Sequence, residues 1–196
     1  NGAYPQGGIS LGQDGNFYGT TYQGGANSRG TSFKVTPAGV HTLLYRFSDT
    51  GDGAYPKVPP VQAQDGNLYG TASGGGPGGK GTVWKVAADG TFSVIHAFTS
   101  GDANGATPYG GLVLLKQKLY GTNNSGGSFA NCSCGVVFEI DMAGNETVLH
   151  TFMGGQYDDG SNAYAGLAKG PKGFLYGQTF HGGENFGLGT VYHVKR

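Results

Sequence analysis

Charged residues are scarce in this chain of 196 residues, and their scarcity excludes several kinds of partner. Asp, Glu, Lys and Arg make up 12% of the chain, about half of the roughly 25% in typical soluble domains. Twelve basic and twelve acidic side chains cancel, no run of basic residues occurs, and no apolar stretch is long enough to span a membrane. We therefore expect no binding to nucleic acid and no membrane insertion.

Cysteine is almost absent, and the motifs of several enzyme classes are missing. The two cysteines, Cys132 and Cys134, are separated by one residue. Because structural zinc takes four ligands, this pair alone is a poor metal site, and we expect either a local loop staple or two exposed thiols. A Gly-x-Ser-x-Gly elbow, a Walker phosphate-binding loop and a His-Glu-x-x-His zinc motif are all lacking.

Glycine, in contrast, is abundant, and its 41 copies fall at repeated positions. A phrase built around Tyr-Gly-Thr occurs four times, with its tyrosines 51, 51 and 56 residues apart. The copies are Asn16–Thr20, Asn67–Thr71, Leu119–Thr122 and Leu175–Gln178. A period near about 50 residues, with few helix formers, is typical of β architectures built blade by blade.

Each repeat divides into four short strands, A to D, joined by glycine-containing turns. In the first repeat the predicted strands are Gly8–Leu11, Phe17–Thr21, Thr31–Thr36 and Thr42–Phe47. The Asp-Gly and Ala-Gly pairs between them are hairpin signals, because glycine adopts the positive φ that such turns need. One position of strand C is always aromatic, so we assign Trp84 and its equivalents to the core. Those equivalents are Phe33, Phe138 and Tyr192.

The predicted fold is all-β, a single β-propeller domain over residues 1–196 with four four-stranded blades. The repeats are residues 1–51, 52–103, 104–158 and 159–196, and the fourth lacks its last strand because the sequence stops after Arg196. The chain is then a fragment of a longer array, a ring with one short blade, or half of a ring completed by a second copy. We favour the fragment.

The repeats resemble a known family. The pattern Gly-Gly-Leu, Asp-Gly-Asn-Leu-Tyr-Gly-Thr, Gly-Thr-Val-Phe-Lys-Val and Thr-Val-Leu-Tyr-x-Phe is similar to the GloVer tandem repeat of extracellular repeat proteins. The resemblance covers the whole chain and weakens in the fourth repeat, where Gln178 replaces threonine. It implies a propeller-like fold and an extracellular or cell-surface location, and it supplies no catalytic motif.

The variable loops are where we expect function. In an up-and-down blade the short A–B and C–D turns share one rim, and the longer B–C and D–A loops share the other. Since binding residues tend to lie on variable loops of a rigid scaffold, we predict recognition at the B–C/D–A rim. The candidate ligand-binding residues there are Tyr22, Asn27, Tyr55, Tyr109, Asn124, Phe129, Tyr157, Phe180 and Asn185. Aromatic faces interleaved with amides suit a glycan, although rim aromatics also pack loops together.

Two further kinds of site are candidates in the same loops. Carboxylate and amide oxygens followed by glycine suit calcium, although Asx-Gly is also an ordinary turn. The candidate calcium ligands are Asp49, Asp52, Asp102, Asn104, Asp158 and Asp159. For catalysis, His181 and Glu184 are the best acid–base pair the sequence offers.

The sequence therefore predicts a non-catalytic adhesion module that binds a glycan or another cell-surface polymer. Two alternatives stay open at this point. One is a secreted lyase or hydrolase that acts on polysaccharides, and the other is a structural protein that self-associates through its incomplete fourth blade.

Overall fold

The computed structural model describes residues 2–99, 103–127, 132–154, 159–183 and 187–196. Within these ranges the chain forms nineteen β-strands and one short 3-10 turn at Pro171–Gly173, without an α-helix. No helix in the described part of the chain is long and apolar enough to cross a membrane. The strands are β1 Gly2–Ala3, β2 Ser10–Leu11, β3 Phe17–Thr21, β4 Gln23–Gly24, β5 Thr31–Val35, β6 His41–Arg46, β7 Val61–Gln62, β8 Leu68–Ala72, β9 Thr82–Val86, β10 Phe92–Ala97, β11 Val113–Leu115, β12 Lys118–Asn123, β13 Val136–Asp141, β14 Glu146–Thr151, β15 Gly160–Ser161, β16 Ala168–Lys169, β17 Phe174–Gln178, β18 His181–Gly182 and β19 Val191–Lys195.

Each repeat forms one small antiparallel sheet, as the sequence predicts. Sheet 1 has the order β2-β3-β5-β6, sheet 2 the order β7-β8-β9-β10, and sheet 3 the order β11-β12-β13-β14. Sheet 4 has three strands in the described residues, in the order β16-β17-β19. Strand A of the first repeat is shorter than the predicted Gly8–Leu11, because only Ser10 and Leu11 pair with strand B. The Ser10 hydroxyl donates to the carbonyl of Pro60.

The D–A segments carry short ladders that the sequence does not reveal. Each one pairs with the B–C loop of its own repeat, as β1 does with β4 and β15 with β18. The second and third repeats make single bridges at the same place, Ala54 with Gly74 and Ala106 with Ser125. The loops are thereby tied to one another by backbone bonds rather than by side-chain packing alone.

The glycine of the Tyr-Gly phrase leaves room for an aromatic ring on the paired strand. Gly70 lies opposite Trp84 in the ladder, and a Cβ placed on Gly70 would lie 2.2 Å from the indole ring. The same arrangement recurs at Gly19 with Phe33 and at Gly121 with Phe138. In these three repeats the glycine thus makes room for an aromatic ring from its own sheet.

Unit 1, residues Asn1–Ala97, is one of two compact parts of the chain and contains sheets 1 and 2. Its buried cluster forms around Trp84, which is fully buried as predicted. The rings of Tyr45 and Phe92 stack with centroids 3.6 Å apart, and Phe47 meets both of them edge-on.

Unit 2, residues Phe98–Arg196, contains sheets 3 and 4 and has its own buried cluster. Phe152, Val137 and Leu175 are completely buried in it. Cys132 and Cys134 form a disulfide at the edge of this cluster. Of the two states expected for these cysteines, this is the crosslink within one loop. The single-domain organisation over residues 1–196 stays a prediction.

Candidate functional site

One backbone geometry recurs in every D–A segment and brings it against a B–C loop. Tyr4, Tyr55, Thr107 and Asn162 occupy equivalent positions, and all have left-handed φ values between 57° and 61°. Three of the four precede proline, where this conformation is disfavoured, and Thr107 is β-branched as well. Their carbonyls accept hydrogen bonds from the backbone of the B–C loop, at 3.0–3.3 Å. The donors are the amides of Tyr22, Ser73, Asn124 and Phe180.

In unit 1 this geometry assembles two tyrosines with two cations. The rings of Tyr22 and Tyr55 lie 5.1 Å apart between centroids. The Lys57 ammonium lies 4.6 Å from the Tyr22 ring centroid, and burial lowers the pKa of Lys57. Arg29 covers the Tyr55 ring at 5.2 Å and also donates to its hydroxyl. Both tyrosines are half-buried and already in contact with a cation, so they offer a ligand little free aromatic surface.

In unit 2 the same loops carry a continuous row of rings, which we call the aromatic row: Tyr109, which is half-buried, and Tyr164, Phe180 and His181, which are exposed. Tyr109 and Tyr164 stack with centroids 5.3 Å apart and planes 24° apart. Phe180 meets Tyr164 edge-on at 5.5 Å and His181 edge-on at 4.6 Å. Tyr164 is 46% exposed and Phe180 62% exposed. Adjacent large aromatics that face solvent are uncommon on a protein surface and typically mark a binding site.

Among the predicted ligand-binding residues, Tyr22, Tyr55, Tyr109 and Phe180 therefore belong to these two groups. Asn27 lies exposed in the B–C loop of the first repeat. Asn124 is only 9% exposed, and its carbonyl accepts from the side-chain amide of Asn162 at 3.0 Å, so it lies beneath the loop surface. Phe129, Tyr157 and Asn185 lie outside the described residues.

The loop aspartates act as hydrogen-bond acceptors that close the D–A segments. The Asp52 carboxylate accepts from the Tyr45 hydroxyl at 2.9 Å and from the Ser48 amide at 2.8 Å. The equivalent Asp159 accepts from the Met153 amide at 2.9 Å and contacts His150 Nε2 at 3.1 Å. Tyr45 and His150, at equivalent positions of strand D, thus each contact the aspartate in the D–A segment that follows.

The remaining candidate calcium ligands are dispersed in the described structure. Asp49 pairs with Arg29 at 3.1 Å, and the Asn104 carbonyl accepts from the side chain of Asn123 at 3.2 Å. Asp102 and Asp158 lie outside the described residues. In the part of the chain that is described, no group of three or more His, Cys, Asp or Glu side chains could hold a metal ion.

One member of the candidate acid–base pair, His181, lies within the described residues. His181 is exposed at the end of the aromatic row, and no carboxylate of the described residues forms an ion pair with it. Glu184 lies outside the described ranges. Within the described residues, the ring contact that His181 makes is the edge-on one with the Phe180 ring.

Sequence reasoning missed the cations that cover the unit 1 tyrosines. Arg29 and Lys57 lie in glycine- and proline-rich loops, where a basic side chain gives no periodic signal. An alignment of the repeats carries a signal for Lys57, because the equivalent position is occupied by Tyr109 in the third repeat and by Tyr164 in the fourth.

Solved structures with a similar fold include two propeller-like proteins. Streptogramin B lyase has a TM-score of 0.60 and 14% identity, with 97% of this chain and 54% of that chain covered. A protein proposed to be a gluconolactonase has a TM-score of 0.52 and 18% identity, with 94% and 62% covered. The chain thus spans less than two thirds of the length of either one. At these identities the likeness shows the fold alone.

Sequence comparison identifies the family. No curated protein matches the chain. The profile of the Gloeobacter/Verrucomicrobia repeat, in contrast, matches residues 1–192, nearly the whole sequence. The all-β fold of small repeated sheets agrees with this match. The chain belongs to the Gloeobacter/Verrucomicrobia repeat family, the GloVer repeat that its sequence resembles.

Proposed function

We propose that this chain is a four-repeat propeller module that binds a glycan without catalysis, through the aromatic row of unit 2. The observation that carries the proposal is the adjacent exposure of Tyr164 and Phe180, whose rings touch each other and continue into Tyr109 and His181. The C–H face of a sugar ring packs on such rings, and neighbouring rings suit successive sugars of one chain.

The composition of the aromatic row favours a sugar over a charged polymer. Its members are two phenols, a phenyl ring and an imidazole, and none of them is a carboxylate or an ammonium group. A ligand at this place therefore gains from apolar contact and neutral hydrogen bonds, which is how an uncharged polysaccharide is held. Where several copies of the chain are displayed together, avidity would raise the overall affinity of a weak single site.

An extracellular or cell-surface location belongs to the same proposal. The Cys132–Cys134 disulfide supports it, because disulfides persist in oxidising compartments. A calcium ion at the D–A loops is a further element of the proposal, and it is tested by including a chelator in the binding assay.

Binding of the chain to dextran, xylan, laminarin and alginate, measured by calorimetry with and without a chelator, tests this function. We expect binding to at least one neutral polysaccharide. Phe180→Ala and Tyr164→Ala should each weaken that binding about tenfold, equivalent to 1.4 kcal/mol. Val191→Ala, which truncates an exposed apolar side chain outside the row, is the matched control and should bind normally.

The proposal is wrong if no polysaccharide binds, or if the Phe180 and Tyr164 variants bind as the control does. Reducing ends measured in the same mixtures separate binding from turnover. Products that disappear in His181→Ala would favour the polysaccharide-active enzyme instead.

A further inference from the structure

A basic cavity lies in unit 2 at the strand ends opposite the aromatic row. It measures about 650 Å³ and opens between the A–B turns of sheets 3 and 4. The side chains that line it are Lys116, Lys118, Tyr120, Glu139, Lys172 and Arg196. This volume is within the roughly 300–1,000 Å³ of small-molecule sites.

The charge of this cavity is strongly unbalanced. Four of the chain's twelve cationic side chains line it with a single carboxylate, although the chain as a whole has a formal net charge of zero. Residues 98–196 contain six basic and seven acidic residues, so the imbalance is not a general property of this unit. Cations that share a concave surface raise the local potential and attract anions.

The one carboxylate is already engaged. Lys118 Nζ lies 2.5 Å from Glu139 Oε1, and the Tyr120 hydroxyl also hydrogen-bonds to Glu139. In the part of the chain that the structure describes, no carboxylate forms an ion pair with Lys116, Lys172 or Arg196. Three cationic side chains therefore line this cavity without a side-chain carboxylate of the described residues as an ion-pair partner.

Comparison of the repeats shows that the fold does not require these lysines. The A–B turn of sheet 1 is Asp14-Gly15-Asn16, in which Asp14 accepts from Asn16 at 2.7 Å and from the Tyr18 hydroxyl at 2.7 Å. Sheet 2 has the same acidic turn at Asp65. In sheets 3 and 4 the turns are Lys116–Lys118 and Pro171–Gly173, so the charge of the turn is inverted.

The lysines also occupy strained backbone positions. Lys116 and Lys172 have φ values of 47° and 53°, in the left-handed region where glycine or asparagine is usual. The next residue of each turn, Gln117 or Gly173, is left-handed as well, as in a type I′ hairpin turn, and a non-glycine residue adopts this conformation at a cost in free energy. A turn that only had to reverse the chain would be more stable with glycine at these positions.

We propose that this cavity binds a small ligand with two or three oxyanion charges, such as phosphate, sulfate or carboxylate groups. Arg196 offers a planar fork that pairs with two oxygens of one group. Lys116 and Lys172 supply compact point charges from two different turns, and Tyr120, which is hydrogen-bonded to Glu139, also lines the cavity. This site is separate in position and chemistry from the proposed glycan site, so either can exist without the other.

Calorimetric titration of the whole chain at low salt with pyrophosphate, sulfate, citrate and acetate tests the site. The multiply charged anions should bind more tightly than acetate, and their affinity should fall as salt is raised. Preference for pyrophosphate, sulfate or citrate identifies the source of the oxyanion groups.

Two sets of variants decide whether the cavity is responsible. Lys116→Gln combined with Lys172→Gln should weaken binding at least tenfold, whereas Lys34→Gln combined with Lys169→Gln removes equal charge elsewhere and should not. Glu139→Gln removes the only carboxylate and should tighten binding several-fold, with Asp89→Asn as its charge-matched control. The absence of binding by every multiply charged anion, or equal losses in the two lysine pairs, would overturn the proposal.

Discussion

At the scale of single residues, the Tyr-Gly-Thr phrase is repeated because each of its members makes a specific contact. The tyrosine is buried in the first three repeats, and the glycine accommodates a ring from strand C. In the first and third repeats the threonine donates a hydrogen bond to the following repeat. Thr20 donates to the carbonyl of Val58 and Thr122 to that of Ala165, each about one repeat away. In the fourth repeat, where Gln178 replaces threonine, the tyrosine of the phrase, Tyr176, is 38% exposed.

Gly70→Ala tests the role of the glycine. A methyl group there would lie 2.2 Å from the fully buried Trp84 ring, so we expect a loss of about 3 kcal/mol in the free energy of unfolding, at the upper end of the usual cost of overpacking. Urea unfolding followed by fluorescence measures it, because Trp84 is the only tryptophan.

Gly8→Ala is the matched control. A Cβ at Gly8 meets nothing within 4 Å, and its φ is not in the left-handed region. Its free energy of unfolding should change by less than about 0.5 kcal/mol. Equal unfolding midpoints for the two variants would contradict the role assigned to Gly70.

At the scale of elements, the D–A segment is the part that joins one repeat to the next. Asn162 shows how it does so in unit 2. Its amide donates to the carbonyl of Cys134 at 2.8 Å, its own carbonyl accepts from Phe180 at 3.1 Å, and its side chain donates to the carbonyl of Asn124 at 3.0 Å. A single left-handed residue thus connects the B–C loops of the third and fourth repeats.

Asn162→Val and Asn162→Gly separate the two requirements at this position. Both remove the side-chain hydrogen bond, a loss of about 1 kcal/mol. Valine must also adopt φ near 58°, which costs a β-branched residue about 1–3 kcal/mol more. We therefore expect Asn162→Val to be the less stable by at least about 1 kcal/mol in urea unfolding followed by near-ultraviolet circular dichroism. Equal stabilities would show that the left-handed conformation carries no strain.

The sequence predicts the strands well because their signals are local and repeated. Strand B of the first repeat, Phe17–Thr21, is confirmed with both ends correct, since a turn and a fixed phrase bound it. The burial of Trp84 follows from the aromatic residues at its position in the sister repeats. These inferences need only alternation and comparison between repeats.

The site residues are harder to predict because their partners lie on other elements. Asp52 depends on Tyr45 and Asp159 on His150, which are seven and nine residues away on strand D. The cavity lysines Lys116 and Lys172 come from turns one repeat apart. Neither arrangement can be derived until the direction of each strand and the stacking of the sheets are known.

At the scale of the whole molecule, both units bury tyrosine hydroxyls within or beside their sheets. Burial and a hydrogen bond to Asp14 raise the pKa of Tyr18 to about 12. Burial and a hydrogen bond to Glu139 likewise raise the pKa of Tyr120 to about 12. Burial also raises the pKa values of Tyr45, Tyr69 and Tyr192. The folded chain therefore favours the protonated phenol in each of its sheets.

This predicts a loss of stability in alkali. An unfolded tyrosine has a pKa of about 10, so these phenols contribute stability that is complete below pH 10 and is lost as the pH rises through about 12. The urea midpoint should fall over that interval, while tyrosinate absorbance rises late and together with unfolding. Replacing Tyr18 and Tyr120 by Phe removes two of the titrating groups and should make the fall shallower. An equally steep fall in the double variant would show that Tyr18 and Tyr120 do not contribute to the pH dependence, contrary to this prediction.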